Sequence, residues 1–261
     1  MPDSLRRDDE AGSRIPTNLR TLLLLEALGK SDRAMTPTEL NAMVGLPKQT
    51  VHRLCATLEA EGFLMRDIDG KGFRAARRAR MMGAGLLHAG WANIARHQVL
   101  RQLSSDVGET VNFVVAEAEG MRYLDRVDTD WSFQIQLPVG TNVPFHCTAS
   151  GKVFMASLAP KARKAFVASL DLSAHTAKTI TTEEALLSEL KDVAKQGFAE
   201  DNEEFVDEMI ALAVPVKDER GRYVSSLAVH GPKQRICIEK ARAMHPKLEA
   251  AAHRLQEALF S

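Results

Sequence analysis

Gln49, His52, Arg53 and Ala56 recur at helical spacing and would share one face of a helix, with Val51, Leu54, Cys55 and Leu58 on the opposite one. Their chemistry is that of edge recognition: a Gln amide offers adenine two hydrogen bonds, and an Arg guanidinium offers guanine two. Lys48, Thr50 and Thr57, flanking that face, suit phosphate oxygens. A solvated surface helix would carry the same residue types, so the surrounding elements decide between the two readings. A second set of reactive types lies farther on, in His146, Cys147, Asp201 and His230, whose groups serve as nucleophiles, acids, bases or metal ligands. Between them Thr148 suits a helix cap. Ala149, Ser150 and Gly151 would then form a first turn whose unpaired N–H groups and positive dipole end attract anions. Glycine there would let a ligand approach the backbone, although Thr148 could equally cap a helix that binds nothing.

The first set sits within a compact pattern of elements. Thr17 to Leu28 reads as a core helix with Leu19, Leu22, Leu23, Leu25 and Ala27 as its apolar stripe, stopped by Gly29. Thr36 as cap, Pro37 at the first helical position and Glu39 completing a capping box predict a second helix over Pro37 to Val44. Gly45, Leu46 and Pro47 leave a short connection that forces the next helix to cross steeply. After Gly62, two β-like runs within Phe63 to Ala75 flank Asp69-Gly70, a dipeptide suited to a tight hairpin. Arg66, Lys71 and Arg74 place positive charge along that wing, fit for phosphate or minor-groove contact. The whole reads as a winged helix-turn-helix, and in that setting the Gln49–Arg53 face favours base contact.

From Arg77 to about Leu103 the chain reads as helical, broken at Gly90. Met81, Met82, Leu86 and Leu87 in one stretch and Trp91, Ile94, Ala95, Val99 and Leu103 in the next form apolar faces that would either pair with a second copy or pack on their own domains. Strands are expected at Thr110–Ala116, Met121–Asp128 and Phe133–Leu137, as an antiparallel meander. Helices follow at Ala149–Leu158, Lys161–Leu170 and Glu183–Lys195, then strands at Ile210–Val216 and Tyr223–His230 and a last helix over Glu239–Phe260. Sheet with segregated helices is an α+β domain.

The chain has no formal net charge, yet Arg14 to Arg80 holds 12 Lys or Arg against 7 Asp or Glu, a balance of +5 that fits a first third facing DNA. Hydrophobic residues at 45% and charged residues at 26% are ordinary for globular domains. Cys55, Cys147 and Cys237 form no CxxC pair, so neither a disulfide framework nor a thiolate zinc site is indicated and a reducing cytoplasm is expected. The polar start, residues 1–14, reads as a disordered leader rather than a signal peptide, and no apolar run is long enough to span a membrane.

The segment TPTELNAMVGLPKQTVHRLCATLEAEGFLMRD, Thr36 to Asp67, resembles the winged helix of IclR-family transcriptional regulators. Four later pieces, in order, resemble the family's GAF-like effector-binding domain: GETVNFVV from Gly108, HCTASGK from His146, GFAEDNEE from Gly197 and ALAVPVKDERGRYVSSLAVHGP from Ala211. The resemblance implies a winged helix over residues 15–76, a linker helix over 77–90 that aids dimerisation, and an effector domain over 91–261. It implies that Thr148, Ala149, Ser150 and Gly151 present N–H groups to an anionic effector, and that Asp201 lines the pocket. The family's frequent Cys is Ala211 here, and two strand serines are replaced by Ala228 and His230. A pocket altered in this way is expected to take a small organic acid with room for one larger or more apolar than the usual ones, with His230 donating to it or charging on contact. The usual Gly after the paired glutamates is Glu208, so that loop is expected to differ in shape.

The implied partners are double-stranded DNA bearing a pseudo-palindromic site, a small-molecule carboxylate, and a second copy in a dimer or tetramer, with no cofactor and no membrane. Two other functions compete. An enzyme would use His146, Cys147 and Asp201, but adjacent His and Cys in a strand would point to opposite faces, and no nucleophile elbow or HExxH occurs. A metal-responsive repressor would use His146, His230 and Asp201. A phosphate loop is disfavoured because His146 and Cys147 stand about where a Walker motif, six residues before Lys152, needs Gly.

Overall fold

A computed structural model describes residues 15–31, 33–88, 91–132, 135 and 137–260. The expected leader, the break at Gly90 and most of the expected strand Phe133–Leu137 lie outside the described residues. The chain divides after Gly83 into two compact units.

The first unit holds α1 (Thr17–Gly29), α2 (Pro37–Val44), α3 (Lys48–Ala60), β1 (Leu64–Arg66) and β2 (Phe73–Ala75). The start of α2 is set by a reciprocal capping box: Glu39 N–H donates to Thr36 Oγ1 at 3.3 Å, and Thr36 N–H donates to Glu39 Oε2 at 2.8 Å. The Arg33 guanidinium, with the Thr36 N–H and hydroxyl that donate to it, holds the Glu39 carboxyl down at about 2. Gly45 ends α2 in the left-handed region at φ 69°, Leu46 turns into the core, and Pro47 leads into α3. The core takes Leu24, Ala27 and Leu28 from α1, Leu40 from α2, Val51, Cys55 and Leu58 from α3, and Leu64 and Phe73 from the wing. The expected α1 stripe is thereby corrected: Leu19 and Leu22 are 41% and 58% exposed, while Leu24 is fully buried. A run of leucines leaves the buried face undefined until a neighbouring element covers it. The wing turn is longer than the two residues expected, spanning 67–72, with Gly70 in the left-handed region at φ 69°.

Helix α4 (Arg77–His88) leads into the second unit, which contains α5 (Trp91–Val107), β3 (Thr110–Ala116), β4 (Met121–Val127), β5 (Asn142–Val143), α6 (Ala149–Ser157), α7 (Pro160–Val167), α8 (Glu183–Gln196), β6 (Ala199–Asn202), β7 (Met209–Lys217), β8 (Tyr223–Pro232) and α9 (Ile238–Phe260). One antiparallel six-stranded sheet runs β5-β4-β3-β8-β7-β6. Alternation along the strands gives it two buried faces. Phe113, Leu212 and Val229 pack with Leu100 and Leu103 of α5 and Leu248 of α9. Val114, Met121 and Tyr123 pack with Met155 of α6 and Leu186 and Leu190 of α8. The edge strands β5 and β6 escape sequence reading because they are two and four residues long, and they exist through their pairing with β4 and β7.

Two ion pairs join residues far apart in the chain. Arg96 of α5, fully buried, donates to Asp125 of β4 at 3.0 Å and lies over the Phe113 ring. Arg235 grips both oxygens of Glu109 at 3.0 and 2.8 Å, and a Cβ on Gly231 would come within 2.6 Å of that carboxylate. No helix among the described residues is long and apolar enough to cross a membrane.

Candidate DNA-recognition face and ligand pocket

In α3 the buried residues Val51, Cys55 and Leu58 leave Lys48, Gln49, His52, Arg53, Ala56 and Thr57 exposed and Thr50 half-buried. Among the described residues no hydrogen bond occupies the side chain of Gln49, His52 or Arg53, whereas Thr57 Oγ1 donates to the Arg53 carbonyl at 3.0 Å. Burial lifts the Cys55 thiol to about 11, so it serves as core. His52 and Ala56 share a cleft of about 330 Å³ with Arg66, Gly70 and Lys71 of the wing. Helix face and wing therefore present one continuous surface.

The wing cations are placed unequally. Arg66 donates to both oxygens of Glu59 at 3.0 and 3.2 Å and to the Gly70 carbonyl at 3.0 Å, with its guanidinium over Phe73. Arg74 clamps Asp67 at 2.9 and 3.3 Å and holds that carboxyl below the usual carboxylate range. Both brace the hairpin, while Lys71 is exposed with no ion pair among the described residues.

In the second unit Thr148 caps α6, its Oγ1 accepting from Gly151 N–H at 3.1 Å and donating to the Pro144 carbonyl at 2.7 Å. Lys152 N–H is bonded to the Thr148 carbonyl, which leaves the N–H groups of Ala149 and Ser150 as the first-turn donors. The expectation that Gly151 admits a ligand is corrected. A Cβ there would stand 2.1 Å from the Phe145 carbonyl oxygen, so this glycine lets the preceding turn pack on α6.

The strand partners follow from register. Asp201 of β6 pairs with Ala211 of β7, which pairs with His230 of β8, in one row across the sheet. Ala211 and Ala228 face α6 within a cluster of small residues that includes Ala149, Ala199 and Ala213. Asp201 Oδ1 accepts from the backbone N–H of Glu204 and Phe205 at 2.7 and 3.3 Å, while Oδ2 is buried with no partner. Burial lifts this carboxyl to about 7. His230 Nδ1 accepts from Asn112 Nδ2 at 3.1 Å, leaving Nε2 buried and unpaired. Burial, reinforced by Arg126, drives its pKa down to about 3, so the ring is neutral in the ligand-free chain.

Several site neighbours were missed from sequence. Lys152 is fully buried between Glu204 at 2.6 Å and Glu189 at 3.1 Å, and those carboxylates outweigh burial to raise its pKa. Arg126 reaches Asn112 Oδ1 at 3.3 Å and the Ile135 and Leu137 carbonyls at 2.8 and 3.1 Å. The one available signal was the pairing of the GK and EE motifs, which Lys152 and Glu204 join. Glu208 adopts φ 61°, in the left-handed region that glycine occupies readily.

His146 and Cys147 lie in the turn before α6, outside any strand, so the argument that they must diverge is corrected. His146 pairs with neither Asp201 nor His230. Among the described residues the one group of three possible metal ligands is His146, Cys147 and His175.

A winged helix with an unoccupied Gln and Arg face, followed by a sheet domain holding a capped helix and buried unpaired polar atoms, is the construction of a ligand-responsive DNA-binding regulator. The chain belongs to the IclR family of bacterial transcriptional regulators: residues 19–67 match the IclR helix-turn-helix domain and residues 90–257 match the bacterial transcriptional regulator IclR C-terminal domain. It is 36% identical over 234 residues, 90% of this chain and 93% of the relative, to the probable transcriptional regulator SauR of Cupriavidus necator. It is 28% identical to the transcriptional repressor IclR of Escherichia coli, over 88% of this chain and 85% of that one. An IclR homolog from Microbacterium hydrocarbonoxydans, solved in complex with 4-hydroxybenzoate, shares the fold with a TM-score of 0.57 and 24% identity, over 93% of this chain and 98% of the other. The protein is thus a DNA-binding regulator with an effector-binding C-terminal domain, and the family is one of regulators rather than enzymes.

Proposed function

We propose that residues 15–76 bind a pseudo-palindromic operator as a dimer or tetramer, with 77–90 as linker helix, and that residues 91–261 tune this binding in response to a small organic acid. The observation that carries the DNA assignment is the outward α3 face: Gln49 and Arg53 are exposed with unoccupied side chains over a buried Val51, Cys55 and Leu58. His52 adds to the base-reading set, Lys48, Thr50 and Thr57 to the phosphate-facing flank, and Lys71 to the wing contact. Arg66 and Arg74 contribute mainly by holding the wing's shape. Arg53→Ala is expected to weaken operator binding by about 1–3 kcal/mol and to relax preference at one base pair. Fluorescence anisotropy at fixed salt measures both, and an unchanged affinity would remove Arg53 from base reading.

The effector site is the α6 face of the sheet. The N–H groups of Ala149 and Ser150, the neutral His230 ring and the Asp201 carboxyl in its protonated form are donors, which suits a carboxylate. The relative complexed with 4-hydroxybenzoate supports an organic acid of that class. Calorimetry with a panel of carboxylates on wild type and His230→Ala tests the pocket: a loss of at least about tenfold is expected, the scale of one buried hydrogen bond. Equal affinities would exclude His230 from the site.

A further inference from the structure

We propose that His146, Cys147 and His175 form a zinc site with three protein ligands and an open fourth position, at the turn that leads into α6. One ligand atom from each lies within 4.8 Å of the other two. Tetrahedral zinc, with bonds of about 2.0–2.1 Å to nitrogen and 2.3 Å to sulfur, needs ligand atoms about 3.5 Å apart. Closing that gap takes roughly an ångström of movement, and the exposed His175 side chain is free to supply it.

Three further observations point the same way. His146 Nε2 donates to the Ser173 carbonyl at 3.0 Å, which fixes the tautomer and leaves Nδ1 as the bare nitrogen; metal-bound histidines are oriented by a bond of this kind. The segment carrying His175 is tied down before any ion arrives: Thr179 Oγ1 accepts from the N–H groups of His175 and Thr176 at 3.0 and 2.9 Å, and Thr176 Oγ1 donates to the Glu203 carbonyl at 2.6 Å. Its ring also stands edge-on to Phe205. The Cys147 sulfur is fully buried and has no disulfide partner. One thiolate and two imidazoles form a borderline-soft donor set, which selects zinc over the oxygen-seeking magnesium and calcium. With three protein ligands the ion keeps a place for water or an anion oxygen, and Cys147 directly precedes the cap of the helix assigned to the effector. A bound ion would tie the segment between α7 and α8 to that helix.

The test uses the full chain in a Cys237→Ser background, which removes the exposed thiol. Cobalt(II) serves as the spectroscopic stand-in, and zinc content is measured by mass spectrometry. One ion per chain is expected, with a thiolate-to-cobalt charge-transfer band in the near ultraviolet. Both are expected to be lost in Cys147→Ser and in His175→Ala, with zinc affinity reduced at least about tenfold. Because His175 is exposed, its variant should keep the fold, verified by circular dichroism. Absence of the band in the parent, or its persistence in either variant, would overturn the site. DNA affinity measured with chelator present reads the regulator function separately, so failure of one proposal is distinguishable from failure of the other.

Discussion

At position 151 a Cβ would lie 2.1 Å from the Phe145 carbonyl oxygen and 2.5 Å from its Cα, contacts with backbone that no rotamer change relieves. Gly151→Ala is therefore expected to destabilise the effector domain by about 2–3 kcal/mol, read as a lower urea midpoint. An unchanged midpoint would mean that the turn before α6 shifts freely. Asp201 offers a second test, through pH. Its carboxyl is raised from 3.8 to about 7 in the folded state, so between those values the folded chain binds more protons than the unfolded one. Its contribution to stability therefore falls as pH rises from about 4 to about 7 and levels off above. Asp201→Asn keeps an acceptor for Glu204 and Phe205 N–H and should flatten that decline in a pH series of denaturation curves. Gly151 and Asp201 were both singled out in the sequence, but their environments were not legible there. The sequence does not contain the distance from Gly151 to a backbone six residues earlier, or the burial of Asp201 beneath the Glu203–Phe205 turn.

Among the elements, those with a chemical punctuation mark at each end were read nearly to the residue. Helix α2 begins with a capping box and Pro37 and ends at Gly45, and its expected and observed spans coincide. Helix α8 begins at a Thr182 cap and runs to Gln196, one residue beyond the expected Lys195, with Gly197 in the left-handed region as its closing cap. Long strands with alternating or continuous apolar residues, β3, β7 and β8, were equally visible. Reading failed where pairing creates the element, as in β5 and β6, and where a run of one residue type hides its face, as in α1. The wing shows the intermediate case. Asp69-Gly70 marks the turn, but Arg66 with Glu59 and Arg74 with Asp67 shape the hairpin through contacts between residues seven apart, beyond any local signal.

At the scale of the whole molecule, the proposed pseudo-palindromic operator would require self-association, since it would present two equivalent half-sites. Met81, Met82 and Leu86 of α4 are 36%, 42% and 66% exposed in a single chain, an apolar surface that a second copy would cover. Leu86→Lys is expected to shift the protein toward monomer at micromolar concentration in sedimentation velocity and to lower operator affinity in parallel. An unchanged sedimentation profile would place the dimer contact elsewhere. The sequence by itself determined the two-part organisation, the winged helix and the outward α3 face, because capping, glycine corners and helical periodicity act over a few residues and are written locally. Tertiary structure alone decided which polar groups are buried, which are paired and which are left over. Burial and pairing depend on groups brought together from distant parts of the chain: Lys152 meets Glu204, Asn112 meets His230, and His175 comes beside His146 and Cys147 only when the sheet and its covering helices have formed.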